Sequence, residues 1–192
     1  MPQGTATCFA TDINPRAVAA TRATLAQHGV VAEARAVAAC CPLPRVDLTL
    51  AQVVLTDLVG ALEPRLTGTI DLLLFNPPYV PSPADEVREQ LRAAPAAHER
   101  SLLATQVGGA RLSAAWAGGA RGRVVVDRFL ARVPALLSPR GALYMVAVTD
   151  NDVPELLCCL HAMGLDARVC LERTADEERL HIISARRRRD GM

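Results

Sequence analysis

Residues 70–83 read IDLLLFNPPYVPSP, and this stretch decides which fold the chain can adopt. Ile70 to Phe75 is a short apolar run, which predicts a strand that is buried on both faces. The two prolines that follow cannot continue a parallel ladder, because proline lacks the backbone N–H that a neighbouring strand needs. The sequence therefore predicts a buried parallel strand that ends in a loop at its carboxyl end.

Two more strands and a helix are predicted on the N-terminal side. Residues 5–12 and 46–55 are apolar and β-branched enough for strands. Between them, residues 15–28 supply strong helix formers, with Asn14 at the N-cap position and Gly29 as the residue that stops the helix. This part of the chain therefore alternates strand, helix and strand.

The C-terminal half continues the alternation. Apolar residues recur at helical spacing over 124–137, where Pro134 predicts a kink or an early end. The following elements are predicted as a turn at 138–141, a strand at 142–148, a helix between Asp152 and Gly164, and a hairpin of strands at 165–171 and 179–183. The whole order predicts an α/β fold with a mostly parallel sheet and a C-terminal antiparallel hairpin.

Bulk composition excludes several classes of protein. The 192 residues carry 21 basic and 20 acidic side chains, so binding to nucleic acid or membrane through net charge alone is not expected. Hydrophobic residues make up 51% of the chain, which argues against disorder. No apolar run is long enough to span a bilayer and no secretory leader is evident, so we expect a protein of the cytoplasm, with the nucleus as a second compartment.

The six cysteines do not have the spacing of a zinc site. Cys158 and Cys159 lie near His161, but adjacent residues on a helix point about 100° apart. We therefore expect buried, reduced thiols and no metal site.

Three polar residues, Asp12, Asp57 and Asn76, stand at the carboxyl ends of three different predicted strands. Open parallel sheets bind ligands beyond the carboxyl ends of their strands. The Asp12 carboxylate suits a ribose diol and suits a helix cap equally well. Asp57 could accept a hydrogen bond from an adenine amino group or cap the next turn. The convergence of these strand ends predicts a ligand site at one edge of the sheet.

Asn76-Pro77-Pro78-Tyr79, hereafter the tetrad, carries the sharpest chemical signal. Its prolines stiffen the backbone, so the Asn76 side-chain oxygen and the Pro77 carbonyl can accept both hydrogens of a planar –NH₂ group. Tyr79 offers a ring for that group to pack on. A methyl sulfonium placed in line with the nitrogen would be attacked without a strong base, because catalysis would come from positioning. A plain proline turn after a strand is the alternative.

The tetrad after IDLLLF resembles the signature of class I methyltransferases, which use S-adenosylmethionine to alkylate amide or exocyclic amino nitrogens. Within that group the chain resembles the HemK-like enzymes of the eukaryotic and archaeal type, which methylate a glutamine in the GGQ motif of a translation termination (release) factor. The matching stretches are 11–25, 55–66, 70–83 and 114–146, and the last holds the discriminating residues Trp116, Gly118, Gly119, Gly122, Asp127, Arg128 and Phe129.

This resemblance implies a Rossmann-like fold and S-adenosylmethionine as the cofactor. The tetrad, Asn76, Pro77, Pro78 and Tyr79, would be the catalytic segment that holds the glutamine amide. A small zinc-binding activator subunit is implied beside the release factor, which is the substrate. The cofactor-binding residues would be Asp12 at the ribose, Ile13 against the adenine, Asp57 and Leu58 at the adenine amino edge, and Asn76.

The resemblance is incomplete on the N-terminal side. The family begins with a strand and a glycine-rich turn of the E/D-x-G-x-G type, which cradles the methionine part of the cofactor. No such turn precedes Asp12 in this sequence. We therefore expect residues 1–185 to form a methyltransferase domain that lacks this first strand and turn, with insertions near 31–50 and 84–111, followed by a basic tail at 186–192.

Three functional interpretations stay open at this stage. The first is glutamine methylation on a release factor. The second is a non-catalytic relative that has lost its cofactor and serves as a binding subunit. The third is adenine-N6 methylation of nucleic acid, since the same tetrad serves exocyclic amines. The chain has one Trp, two Tyr and three Phe, and this shortage of rings for base stacking argues against nucleic acid as the substrate.

Overall fold

The computed structural model describes residues 7–33, 50–87, 115–175 and 178–188. These residues form two compact units, which are described one at a time. The first unit contains the described residues up to Leu62, and the second contains those from Glu63 onward.

The first unit is a parallel three-stranded sheet with one helix. The helix, α1, begins after Asn14, whose side chain accepts a hydrogen bond from the backbone N–H of Arg16 at 2.9 Å. Gly29 follows the helix at a φ of 72°, a conformation that glycine adopts without strain. The elements are β1 (Cys8–Asp12), α1 (Pro15–Gln27), β2 (Val31–Glu33) and β3 (Leu50–Leu55), and the strands lie in the order β1-β3-β2.

The second unit is built on a four-stranded sheet. Its strands are β4 (Ile70–Phe75), β7 (Leu137–Val148), β8 (Leu165–Ala175) and β9 (Glu178–Arg187), in the order β4-β7-β9-β8. β4 runs parallel to β7, and the other pairs are antiparallel. Two short strands, β5 (Val80–Pro81) and β6 (Ala117–Gly119), pair with each other in parallel. Its helices include α2 (Glu63–Leu66), α3 (Val124–Leu130), α4 (Val133–Leu136) and α5 (Val153–Ala162), with 3-10 turns at Ala120–Gly122 and Thr149–Asn151. Residues 84–87 are helical as well.

The core of the second unit centres on β7, which has a strand on each side. Leu143 and Met145 of β7 are 0% and 1% exposed. Buried side chains of α4, α5 and β9 complete this core, including Leu136, Leu156, Leu160 and Ile183. Burying such side chains is the main source of stability in a unit of this size.

The predicted α/β architecture is confirmed. The strands β1, β3 and β2 are parallel, as are β4 and β7, and β8 and β9 form the expected C-terminal hairpin. The predicted helix over 124–137 is divided into α3 and α4, and Pro134 lies in the first turn of α4. Proline is tolerated there because its missing N–H would have no helical partner at that position.

The predicted turn at 138–141 is wrong, because these residues belong to β7. The pairing of β4 with β7 passes from Ile70 opposite Leu137 to Leu72 opposite Ala142, so the intervening residues of β7 form a bulge. Gly141 is required there, since a Cβ atom would overlap the carbonyl oxygen of Ile70. A bulge is defined by its pairing with the neighbouring strand, which the local sequence does not show. The Ser-Pro-Arg-Gly sequence is also typical of a turn, and it therefore predicts one.

The prediction that β4 is buried on both faces is also wrong for the described residues. Leu72 and Leu74 are 59% and 70% exposed. β4 pairs with β7 along one edge, and among the described residues it has no strand on the other. β1 is likewise an edge strand of its sheet within the described ranges. The expected lack of a first strand and glycine-rich turn stays a prediction.

The basic tail begins later than predicted, because β9 continues to Arg187. Arg186 pairs with Ala142, and the Arg187 guanidinium donates hydrogen bonds to the carbonyls of Leu137, at 3.2 Å, and Pro134. Pairing with β7 and β8 thus places Arg186 and Arg187 in a strand, although their sequence predicts a solvent-exposed basic tail. The predicted insertions near 31–50 and 84–111 lie mostly outside the described residues.

Two further findings concern thiols and membranes. The prediction of buried thiols is wrong: Cys158 is exposed and Cys159 is partly exposed on α5. Cys158 lies on the side of α5 opposite its buried residues, which are Val153, Leu156 and Leu160, and Cys159 lies at the border of that buried side. Within the part of the chain that the structure describes, no helix combines the length and hydropathy that crossing a bilayer requires.

The position of Leu143 at the centre of the sheet makes a stability prediction. We expect Leu143→Ala to lower the free energy of unfolding by about 2–5 kcal/mol, because it leaves a cavity in a closed core. Urea denaturation followed by circular dichroism measures this change. Leu171→Ala, on β8 with 59% exposure, is the matched control and should cost far less. Equal losses in the two variants would contradict this description of the core.

Candidate functional site

The two acidic residues predicted at strand ends lie together in the first unit. Asp12 is the last residue of β1 and pairs in register with Leu55, the last residue of β3. The backbone N–H of Thr56 donates to the Asp12 carbonyl at 2.9 Å, so the two strand ends are joined there. Asp57 follows directly, and both carboxylates are partly buried. The strand ends that carry Asp12 and Asp57 are therefore neighbours, and the predicted convergence of both with Asn76 stays a prediction.

The Asp12 carboxylate caps the chain as it enters α1. Its Oδ1 atom accepts a hydrogen bond from the backbone N–H of Asn14 at 2.7 Å. A carboxylate has two oxygens with several acceptor positions, so this bond leaves acceptor capacity for a ligand hydroxyl. The capping role and the ribose-binding role are thus compatible in one side chain.

Asp57 stands at the start of a strained turn. Leu58, the next residue, has a φ of 52°, in the left-handed region that non-glycine residues rarely adopt. Backbone Gly60 N–H donates to the Asp57 carbonyl at 3.0 Å, and Ala61 N–H donates to the buried Thr56 hydroxyl at 3.1 Å. Strain of this kind costs about 1–3 kcal/mol and concentrates at functional sites. Nothing in the local sequence signals it.

The residues at this edge fit the nucleoside part of S-adenosylmethionine in their chemistry. Asp12 and Asp57 supply carboxylate acceptors for hydroxyl and amino groups. Ile13 and Leu58, each next to one of these acids and partly exposed, supply apolar surface for a purine ring. These four residues could hold the cofactor.

The tetrad lies in the second unit, and the chain enters it from a fixed strand end. Phe75 closes β4 and pairs with Met145 of β7. Its ring also packs on Phe129 of α3, with 3.9 Å between ring centroids. Because Phe129 is buried, the residue immediately before Asn76 is anchored on two sides.

The chain also leaves the tetrad at a fixed place. The N–H of Val80 donates to the Trp116 carbonyl at 3.0 Å. Ser82 and Gly119 exchange two further hydrogen bonds, from Ser82 N–H to the Gly119 carbonyl at 3.0 Å and from Gly119 N–H to the Ser82 hydroxyl at 2.9 Å. The sequence did not predict the β5–β6 pair, because a strand of two residues is too short to show an alternation of apolar and polar side chains, and one of the two is proline.

Glycines of the AWAGGARG segment lie against the tetrad backbone. A Cβ atom on Gly118 would overlap the carbonyl oxygen of Pro78, and one on Gly122 would overlap that of Tyr79. Gly122 also has a φ of 67°. We call residues 118–122 the glycine turn. The close approach gives a physical reason for glycines that the sequence identified by resemblance alone.

Inside the tetrad, exposure differs between neighbours. Asn76 is exposed, Pro77 is buried, and Tyr79 is partly buried. The Tyr79 carbonyl accepts a hydrogen bond from the side-chain amide of Asn151 at 2.8 Å. The arrangement therefore presents one amide side chain to solvent on a backbone that is fixed before and after it.

Sequence reasoning missed two buried polar residues next to the tetrad, Asn151 and Arg123. They are 1% and 4% exposed. Asn151 lies 72 residues from Tyr79, within a Thr-Asp-Asn-Asp run that reads as an ordinary helix start. No local pattern could have identified its distant partner.

An ion-pair cluster surrounds the glycine turn. Arg121 donates to Glu155 at 2.6 Å and lies 3.5 Å from Asp152. The hydrogen bond to Glu155 raises the pKa of Arg121 above its ordinary value. Among the described residues, no group of three or more His, Cys, Asp or Glu is placed to hold a metal ion.

Comparison with known proteins gives relatives of one kind, although no family model matches the chain. Methyltransferase HEMK2 of Homo sapiens is 38% identical over 182 residues, which cover 95% of this chain and 66% of the relative. Methyltransferase HEMK2 of Mus musculus is 38% identical over 173 residues, covering 90% and 63%. The chain thus spans just under two thirds of the length of these curated relatives.

Two further comparisons point the same way. The eRF1 methyltransferase catalytic subunit mtq2 of Schizosaccharomyces pombe is 32% identical over 119 residues, 62% of this chain and 44% of the relative. A solved structure of the E. cuniculi Mtq2–Trm112 complex, described as responsible for methylation of the eRF1 translation termination factor, matches with a TM-score of 0.54 and 20% identity. It covers 97% of this chain and 88% of that chain, and at this identity it shows the shared methyltransferase fold.

The sequence identity, the α/β architecture and the tetrad after β4 agree with one another. The chain belongs to the HemK-like family of class I methyltransferases.

Proposed function

We propose that the protein transfers a methyl group from S-adenosylmethionine to the side-chain amide nitrogen of glutamine in the GGQ motif of a translation termination factor. The observation that carries this proposal is the tetrad, in which an exposed Asn76 side chain stands on a backbone anchored at both ends. The names of the relatives support a protein substrate of this class.

The tetrad acts by holding a poorly nucleophilic amide nitrogen in place. The Asn76 side-chain oxygen and the Pro77 carbonyl accept the two hydrogens of the glutamine –NH₂ group, and the Tyr79 ring packs on its plane. Accepting both hydrogens favours a nitrogen whose lone pair is available for attack. Orientation of this kind is worth up to about 7–11 kcal/mol of activation free energy.

Methyl transfer to the amide nitrogen does not need a strong base at the site. S-adenosylmethionine, when bound, supplies an electrophilic methyl group on a positively charged sulfur. A nitrogen–carbon bond forms as the sulfur–carbon bond breaks, and the sulfur keeps the electron pair. One amide hydrogen then leaves as a proton to water, so the product is a neutral N-methyl amide.

The nucleoside part of the cofactor is assigned to the first unit. In this proposal Asp12 accepts from the ribose hydroxyls, and Ile13 packs on the adenine. Asp57 accepts from the adenine amino group, with Leu58 beside it. The paired strand ends and the half-buried carboxylates support this assignment.

The names of the relatives support partners of the proposed kind. The S. pombe relative is named as a catalytic subunit, and the E. cuniculi protein was solved in complex with Trm112. We propose that this chain likewise works with a small zinc-binding activator subunit and meets its release factor in the cytoplasm, with the nucleus as a second compartment. A net charge of +1 weighs against the alternative of adenine methylation in nucleic acid.

Asn76 gives a direct test of the amide-holding role. In the complex with its activator subunit, Asn76→Ala should lower methyl transfer to a release factor by about 10²-fold or more, by analogy with other precisely placed polar groups. Transfer of a radiolabelled methyl group measures it. Asp166→Ala, an exposed acid on β8, is the control and should leave the rate unchanged. Undiminished glutamine methylation by Asn76→Ala would show that the tetrad does not hold the substrate.

Asp12 tests the cofactor assignment. Asp12→Asn keeps a side-chain oxygen for the Asn14 N–H but replaces one acceptor with a donor, so it separates capping from ribose binding. We expect S-adenosylmethionine affinity to fall by about 10- to 100-fold, since a hydrogen bond to a charged group is worth about 1.5–3 kcal/mol. Isothermal titration calorimetry measures the affinity, and circular dichroism checks that α1 is intact.

The same calorimetry decides between an enzyme and a non-catalytic relative. A folded wild-type sample that binds S-adenosylmethionine supports the enzyme. A folded sample that releases no heat with the cofactor would favour the binding-subunit interpretation.

A further inference from the structure

Asn151 lies at the junction of three separate segments of the second unit. Its side-chain N–H groups donate to the carbonyls of Tyr79 at 2.8 Å and Arg121 at 2.9 Å, and its side-chain oxygen accepts from the backbone N–H of Val148 at 2.9 Å. The residue is 1% exposed. Both donors and the acceptor of one buried amide are thus satisfied.

Each of these bonds reaches a different part of the molecule. Val148 is the last residue of β7, the strand at the centre of the core. Arg121 belongs to the glycine turn, and Tyr79 is the last residue of the tetrad. One side chain therefore connects the tetrad to β7, the buried strand at the centre of the core.

A second buried residue fixes Asn151 itself. The Arg123 guanidinium donates to the Asn151 main-chain carbonyl at 3.0 Å and is 4% exposed. It also donates twice to the Asp127 carboxylate, at 2.7 and 2.9 Å. Asp127, Arg123, Asn151 and Tyr79 thus form a continuous chain of hydrogen bonds that ends at the tetrad.

The backbone around Asn151 is held in unusual conformations. Arg121, whose carbonyl it binds, has a φ of 53°, and Asp152, which follows it, has a φ of 55°. Non-glycine residues persist in this region only when surrounding contacts determine them. The hydrogen bonds of Asn151 supply such contacts on both sides.

These contacts point to a role in the reaction. We propose that Asn151 is a positioning residue, whose side chain fixes the Tyr79 backbone and, through it, the geometry in which Asn76 and Pro77 hold the substrate amide. This inference rests on the proposed function, because it assigns Asn151 to the same site. A misplacement of about 1 Å at a reacting group can lower a rate by about 10²-fold.

Replacement by aspartate is the sharpest test. Asn151→Asp has the same shape and keeps an acceptor for Val148, but it places a carboxylate oxygen against the carbonyls of Tyr79 and Arg121 and removes both donors. With saturating cofactor and release factor, we expect kcat to fall by about 10- to 100-fold. The dissociation constant of S-adenosylmethionine should change less than twofold, since its proposed nucleoside ligands lie in the first unit.

A matched variant separates positioning from general loss of stability. Leu156→Ala removes a fully buried side chain from α5, five residues after Asn151. The leucine side chain takes no part in the hydrogen bonds that reach the tetrad. Assayed well below the melting temperatures of both variants, Leu156→Ala should keep the wild-type kcat although it melts earlier. If both variants lose kcat in proportion to their melting temperatures, the positioning role is overturned.

Asp127→Asn provides a milder variant in case Asn151→Asp does not fold. The substitution removes the charge of the half-exposed Asp127 and so weakens its ion pair with Arg123. We expect a several-fold loss of kcat with unchanged cofactor affinity. Wild-type complex that methylates the release factor, together with variants that keep kcat within twofold, would overturn the inference and leave the proposed function standing. Wild-type complex without transfer to glutamine would overturn both.

Discussion

The structure around the tetrad depends on a close approach between two backbones. The carbonyls of Pro78 and Tyr79 lie where Cβ atoms of Gly118 and Gly122 would otherwise be. Any side chain at either glycine would push the two segments apart, and with them the ladder of β5 and β6. The absence of side chains at Gly118 and Gly122 therefore allows the tetrad backbone to lie against the glycine turn.

This constraint explains how an exposed side chain can be precisely placed. Asn76 has solvent around it, yet Phe75 before it packs on Phe129, and Tyr79 after it is bonded to Asn151. The backbone on either side of Asn76 is fixed by its neighbours, while the Asn76 side chain stays accessible to solvent. The acids at the ends of β1 and β3 in the first unit are placed in a similar way. Pairing of Asp12 with Leu55 fixes the two strand ends, while the side chains of Asp12 and Asp57 stay partly exposed.

The sequence predicts this molecule well where the signal is local and poorly where it depends on a distant partner. The cap at Asn14, the stop at Gly29 and the apolar run of β4 are local, and each was found where expected. The bulge at 138–141, the β5–β6 pair and the buried Asn151 were missed, because each is defined by residues far away in the chain. For the same reason the sequence marked the tetrad as a candidate site but gave no sign of Asn151 and Arg123, the buried residues beside it.

The hydrogen bonds that join Val80 to Trp116 and Ser82 to Gly119 affect how much the chain between them can vary in length. They hold residues 80–82 beside residues 116–119, although these two stretches lie more than 30 positions apart in the chain. Closing a loop twice as long costs only about 0.6 kcal/mol more. Segments of different length and composition could therefore be exchanged here during evolution, or grafted here by design, while the tetrad keeps its place beside the glycine turn.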